Sequence, residues 1–567
     1  MRPVAYKFLL FSGLLFATGC ANQLAGTGNA PPAGFLTGEG EAAYHSFIAE
    51  LALQRGDETT AAREYAAAAR SSDDPQLAER AATVAFRAGS YQFAEEAARL
   101  WLARTQDNAD AHRMLLSLMV RNGRPESALP HLEYLLENGP EDREDAWLLL
   151  MFLLQREPSA ADALTAMQAL VANYSDEAIA HYALAALALE KKATEVAVVA
   201  ALTARTLAPD WPRAGLMLAR AQIEAGETAE GVATARSVAE GNNDDQVQLE
   251  FAGLLADNGE LDEARLTLSR LLEKQPDMPD ALFAAGLLEM SAERPEAARV
   301  HFTNLLGTGQ RRPDALFFLG NVAEKLGETT NALQLYLRIR SGRHFPSAQI
   351  QIGKLLFELG QKEAALDHLH TFARRFPSYA ESAVLLEGSL LVDTRRELEA
   401  LELYSTTLSE NPDARTVRYA RALLLEQMDR VDAALADLFE LVETDPEDGS
   451  ALNALGYVLA DRTERLDEAL AYIEKAHERL PNEGAVLDSL GWVHFKLGNY
   501  DLALKYLELA FARIDDPEVA AHLGELLWVT GDTERATTIW LDAREKNDSN
   551  RSLNDAIQRF LGGPVND

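Results

Sequence analysis

The chain has 567 residues, 47% of them apolar, with 53 lysines and arginines against 88 aspartates and glutamates, a formal charge of -35. That apolar content is enough for a folded core, so the acidity does not imply disorder. It does exclude the basic footprint that nucleic-acid phosphates require, and leaves cations and basic proteins as the expected long-range attractions. The single cysteine, Cys20, excludes intrachain disulfides and a Cys-x-x-Cys metal or redox site.

Arg2 and Lys7 lead into an apolar run from Phe8 to Phe16, and Ala17, Thr18 and Gly19 are small. This is the layout of a secretory signal peptide over residues 1–19, and the run is shorter than the roughly 20 apolar residues a membrane-spanning helix takes. Ala17-Thr18-Gly19-Cys20 resembles a bacterial lipobox, with Ala17 where leucine is usual. The resemblance implies cleavage before Cys20 and lipidation of that cysteine. With Ala21 rather than aspartate after it, it also implies a lipid-anchored protein of the Gram-negative outer membrane that faces the periplasm. Residues 20–40 hold Gly26, Gly28, Pro31, Pro32, Gly34, Gly38 and Gly40 and read as a flexible tether. A coil of that length has a mean reach of roughly 25 Å.

From residue 41 the chain repeats. A small residue between two apolar half-turns recurs fifteen times, at Ala61, Ala94, Ala128, Ala163, Ala197, Gly231, Ala264, Ala298, Ala332, Ala365, Ala400, Ala434, Ala469, Ala503 and Ala536. The spacing is about 34 residues. Twelve residues after this anchor stand Pro140, Pro209, Pro276, Pro377, Pro412, Pro446 and Pro481. Five before it stand Gly56, Gly89, Gly123, Gly226, Gly259, Gly327, Gly360, Gly498 and Gly531. Glycine accepts the left-handed backbone that ends a helix and proline cannot continue one, so each period is predicted to be two short antiparallel helices. Small residues twelve before the anchor, at Gly286, Gly320, Gly353, Gly388, Gly456, Gly491 and Gly524, allow the two axes to approach closely.

The spacing with Leu-Gly, then Gly, Ala and Pro, as in Leu455-Gly456 to Pro481, resembles the tetratricopeptide repeat over residues 41–547. One helix pair cannot bury its apolar face alone, so the expected fold is all-α, a solenoid of about fifteen stacked helix-turn-helix units. The family implies a right-handed superhelix. Residues 548–567 read as a C-terminal capping helix and tail.

No HExxH, GxxxxGK[ST], strand-linked GxGxxG or GxSxG motif is present. His368 and His370 are two apart on a predicted helix, so their side chains diverge. The carboxylate pairs Asp244-Asp245 and Asp515-Asp516 lack the ligand spacing of a calcium loop. Accordingly no catalytic, metal or cofactor site is predicted, and the expected function is non-enzymatic protein binding. In the family the groove is lined mainly by fixed positions of each first helix. Carried onto the last three repeats, these are Asn453, Tyr457, Asp461, Asp488, Trp492, Phe495, Lys496, Glu525 and Trp528, and onto the middle units Phe283, Met290, Phe317, Lys325, Lys354 and Phe357. Aromatics rimmed by polar groups suit a binding hot spot; packing inside a tight superhelix is the competing reading.

The blocks Ala451 to Tyr457, Asp488 to Val493 and Ala521 to Trp528 resemble a family of proteobacterial tetratricopeptide lipoproteins. Its best model is the outer-membrane adaptor that binds and activates a periplasmic carboxyl-terminal processing protease. The resemblance implies an adaptor presenting substrates such as cell-wall hydrolases. The competing function is an assembly lipoprotein for pili, secretion systems or outer-membrane proteins.

Overall fold

The computed structural model describes residues 38–105, 107–547 and 550–562. Among them are thirty-one α-helices, two short 3-10 turns and no strand. Thirty of the helices form fifteen consecutive pairs, from Gly38–Gln54 with Glu58–Arg70 to Pro517–Thr530 with Thr533–Lys546. The predicted repeat count therefore holds through the N-terminal half, where the sequence pattern is weaker. The expected signal peptide, Cys20 and residues 20–37 of the expected tether lie outside the described residues. The last three tether residues, Gly38, Glu39 and Gly40, instead open the first helix, whose first turn carries Glu39 and Glu41 against the positive end of its dipole.

The chain divides into two compact units, residues 1–276 and 277–567. The first holds seven helix pairs and the second holds eight, followed by the terminal helix Arg551–Leu561. Within each unit the turn chemistry is that predicted. All nine turn glycines have positive φ, from 66° at Gly89 and Gly123 to 100° at Gly531. In four other pairs Lys192, Glu293, Arg395 and Asp429 occupy the same turn with φ between 55° and 61°.

The anchors pack the two helices together, and every anchor alanine is fully buried. In the second unit the glycine twelve residues earlier meets a large side chain of the second helix. A Cβ on Gly286 would stand 2.4 Å from Phe302, one on Gly320 2.4 Å from Tyr336, and one on Gly524 2.2 Å from Trp540. A large residue thus fills the hollow that the glycine leaves. Three pairs of the first unit carry alanine at both of these positions, Ala82 and Ala98, Ala185 and Ala201, Ala219 and Ala235, all buried. Gly231 replaces the anchor alanine because a Cβ there would lie 2.7 Å from the carbonyl oxygen of Ala219.

Polar bonds then join successive pairs. The buried carboxylate of Glu157 accepts from Ser117 Oγ at 2.6 Å and Arg121 Nε at 2.8 Å. Within one pair, Arg421 of helix Arg415–Gln427 makes a two-pronged bond to Asp437 of helix Val431–Thr444 at 2.7 and 2.8 Å. The terminal helix buries Leu553, Ala556 and Ile557 and lays Phe560 against Trp528 and Trp540, closing the end of the second unit.

Candidate functional site

The predicted residues of the last three repeats lie on the first helices Gly449–Arg462, Gly484–Lys496 and Pro517–Thr530. Two of these starts are fixed by aspartate caps. Asp448 accepts from the backbone N–H groups of Ser450 and Ala451 at 3.1 Å, and Asp516 from that of Glu518 at 2.8 Å. Gly456, Gly491 and Gly524 admit Ile473, Leu507 and Trp540, and so set how each first helix faces its own partner. The opposite stripe, at three- and four-residue spacing, turns toward the neighbouring first helices.

On that stripe the side chains bond to one another across the repeats. Trp492 Nε1 donates to Asp461 Oδ1 at 3.1 Å. Asp488 holds Nδ1 of His522 at 2.9 and 3.1 Å, and the His522 ring lies on Trp492 with centroids 4.0 Å apart and planes 19° from parallel. The Tyr457 hydroxyl reaches past the intervening helix and donates to Glu518 at 2.8 Å, and Ser552 of the terminal helix donates to the same carboxylate oxygen at 3.1 Å. Arg559 donates to Glu525 at 2.8 Å. Burial, reinforced by Glu518, holds the Tyr457 hydroxyl well above the usual phenol range. Burial pulls His522 toward neutrality, yet the Asp488 carboxylate outweighs it and the net shift is upward.

This corrects the expectation of an open aromatic surface. Trp492 is only 5% exposed and Asp488 only 6%, so neither presents itself to a partner. Tyr457 and Asp461 are engaged with Glu518 and Trp492, and Asn453 places its Oδ1 in the interior without a hydrogen-bond partner. Trp528 is half-buried, stacked on Trp540 and tilted against Phe560. What remains accessible is Lys496, whose ammonium stands 4.9 Å from the Trp492 ring centre, together with the edges of Phe495 and Trp528. The sequence reading missed Glu518 and His522. Stepping back from Glu525 by three and then by four along the helix finds both, whereas fixed groove positions pass over His522.

The middle positions are similarly engaged. Arg311 covers Phe283 at 3.8 Å, His344 stacks on Phe317 at 4.4 Å, and Lys325 pairs with Glu293 at 3.0 Å. Lys362 lies 5.4 Å from the Phe357 ring centre, Lys354 stands 3.8 Å from Glu358, and Met290 is half-buried. His368 bonds the carbonyl of Gln349 while His370 faces Glu387, so the two histidines diverge as predicted. Among the described residues no three histidine, cysteine or carboxylate groups converge to hold a metal ion.

A tetratricopeptide-repeat model matches residues 216–279, 249–303, 283–347, 385–443, 419–483 and 489–550, and a second one matches 347–379. The TPR repeat-containing protein PA4667 of Pseudomonas aeruginosa is 29% identical over 484 residues, covering 85% of this chain and 82% of that protein. Among solved structures, the thermophilic TPR protein TTC0263 of Thermus thermophilus is 26% identical, with 32% of this chain and 98% of that one aligned at a TM-score of 0.29. Yeast Tom70 is 15% identical, with 74% and 95% aligned at a TM-score of 0.37. With more than half of its length matched by the repeat model, the chain belongs to the tetratricopeptide repeat family.

Proposed function

We propose that this protein is a lipid-anchored adaptor on the periplasmic face of the outer membrane, binding a carboxyl-terminal processing protease and presenting substrates such as cell-wall hydrolases to it. The coarser role is that of a protein–protein interaction scaffold, which is what stacked tetratricopeptide repeats form. The observation that carries the finer reading is the bonded block of the last three repeats. Four successive inner helices are tied by Trp492 to Asp461, His522 to Asp488, Tyr457 to Glu518 and Ser552 to Glu518, and are held in one arrangement before any partner arrives. A surface prepared in this way loses little conformational entropy on binding. Partner contact falls on its accessible rim, Phe495, Lys496 and the edge of Trp528, while Trp492 and Asp488 support that rim from within. The signal-peptide layout and Cys20 support the anchored, exported setting.

The test is photo-crosslinking in cells with a reactive amino acid placed at Lys496, compared with one at the exposed Leu398 of a second helix. Capture of a periplasmic processing protease from position 496 and not from 398 is expected. Capture of pilus, secretion or outer-membrane assembly components instead would replace the adaptor reading with the assembly one.

A further inference from the structure

The first helix of the first unit has an apolar face that is exposed where the corresponding apolar faces of the third and fifth repeats are buried or half-buried. Gly38–Gln54 buries Ala42, Ala49 and Ala52, while Tyr44, Phe47 and Leu51, spaced by three and four residues, share another stripe. Tyr44 is 39% exposed, Phe47 is 62% exposed and Leu51 is half-buried. In the third repeat the same register holds Ala111, Met114 and Leu118, and in the fifth Ala180, Ala183 and Leu187. Met114 is half-buried and the other five are fully buried. Among the described residues no helix pair stands before the first repeat, and its stripe carries two aromatic rings where the third repeat has Ala111 and Met114 and the fifth has Ala180 and Ala183.

We infer that Tyr44, Phe47 and Leu51 lie against a neutral lipid headgroup surface and seat the first repeat on the membrane. The inference rests on the reading of Cys20 as the acylated residue. Only the seventeen residues Ala21 to Thr37 separate that cysteine from Gly38. Even fully extended they span at most about 60 Å, so this end is the part of the folded chain held nearest the bilayer. Three side chains are too few for a specific protein interface, which takes about 800 Å² from each partner. Aromatic rings at headgroup depth are a recurrent lipid contact, and tyrosine suits it best, with an apolar body and a polar tip. Glu39 and Glu41 in the first turn of the helix repel anionic headgroups, which selects a neutral lipid such as phosphatidylethanolamine, while Glu50 is paired with Arg80.

Once Cys20 is acylated, Phe47→Cys supplies the only free thiol in the chain. The acylated full-length variant is labelled with a fluorophore, bound to phosphatidylethanolamine–phosphatidylcholine vesicles, and exposed to lipid-borne and water-borne quenchers. A Val199→Cys variant, at a site 67% exposed, serves as the aqueous reference. The probe at 47 is expected to be quenched several-fold more by the lipid-borne agent than the probe at 199. Equal, water-like quenching at both positions on vesicle-bound protein would overturn the inference while leaving the anchor intact. Shielding of position 47 from both quenchers would also overturn it, showing that protein covers the stripe, either a second copy or the preceding residues. A chain that stays off the vesicles and takes a second label at Cys20 would instead remove the anchor itself, and the inference with it.

Discussion

The Nδ1 atom of His522 lies 2.9 and 3.1 Å from the two carboxylate oxygens of Asp488, and both residues are buried, at 4% and 6% exposure. The two sit on successive inner helices, so the pair is a charged tie between the fourteenth and fifteenth repeats. Asp461 and Glu518 also face the imidazole, and Trp492 covers its flat side. The folded pKa of His522 is raised, so the unfolded chain gives up its proton first as pH rises. The contribution to stability is complete below the ordinary histidine value of about 6.5 and is lost as pH climbs through the higher folded value. Urea unfolding of the wild type should therefore weaken above neutrality relative to His522→Gln, whose profile lacks that descent. Asp488→Asn strands the imidazole without its counter-charge and should cost about 3 kcal/mol at pH 6. Parallel profiles for wild type and His522→Gln from pH 6 to 9 would remove the charged pair.

A second histidine contact should act at the other end of the pH scale. His131 Nδ1 lies 3.0 Å from His112 Nδ1, and His112 stacks on Tyr134 at 3.7 Å. Burial, then the neighbouring His112 and Arg99, lower His131 to about 4; burial also lowers His112, partly opposed by Asp107. One proton shared between two neutral rings satisfies both nitrogens, whereas two imidazolium ions at this separation repel. Here the folded pKa is depressed, so stability is complete above about 6.5 and declines as pH falls toward the folded value. The first unit should lose on the order of 2 to 3 kcal/mol between pH 7 and pH 4 through this pair. His131→Phe, read by hydrogen exchange at the helix Leu129–Glu137, should flatten that decline; an unchanged slope would mean other groups cause it.

How much of this was legible beforehand depends on whether the information was local. The turn glycines and anchor alanines announce themselves because helix termination and close axis approach each demand one residue type at one position. The inner face was legible as a stripe but not in its state. Trp492 and Asp488 stand on that stripe, yet whether they meet solvent depends on how tightly neighbouring repeats pack, which no single repeat encodes. Tyr457 reaching Glu518 across sixty-one residues, with a whole repeat between, is a contact of that kind. His522 escaped because a mid-helix histidine gives no sign of the carboxylate waiting one repeat earlier. The exposed stripe of the first helix was hidden because the three- and four-residue spacing of Tyr44, Phe47 and Leu51 is that of any core face, and only the structure shows Tyr44 and Phe47 exposed.

The four turns in which a residue other than glycine holds this positive φ are a test of backbone cost. Lys192 holds φ at 59° in the turn after helix Ala178–Glu190, a conformation glycine adopts freely and an L side chain adopts at about 1 to 2 kcal/mol. Replacing it also loosens the unfolded chain, which offsets about 0.4 to 1 kcal/mol of that gain. Lys192→Gly should thus stabilise the first unit by about 0.5 to 1 kcal/mol, seen as a higher urea midpoint with unchanged slope. A lower midpoint would show that the lysine side chain contributes more than its backbone costs.

Glycine in mid-helix should give opposite results at two places. Gly253, in helix Asp245–Asp257, has nothing within 4 Å of where a Cβ would sit, so Gly253→Ala removes only backbone freedom and should add roughly 1 kcal/mol of stability. At Gly524 the same atom would stand 2.2 Å from Trp540 Nε1, and the indole cannot yield because it is fully buried and lies against Phe560 and Trp528. Gly524→Ala should therefore cost about 1 to 3 kcal/mol. The cause is separable from helix propensity by a double-mutant cycle: Trp540→Leu alone leaves a cavity and is destabilising, but it frees the space the methyl needs. Added to the Trp540→Leu background, Gly524→Ala should be close to neutral, and a penalty as large as in the wild type would mean that the clash with the indole is not what fixes glycine at this position.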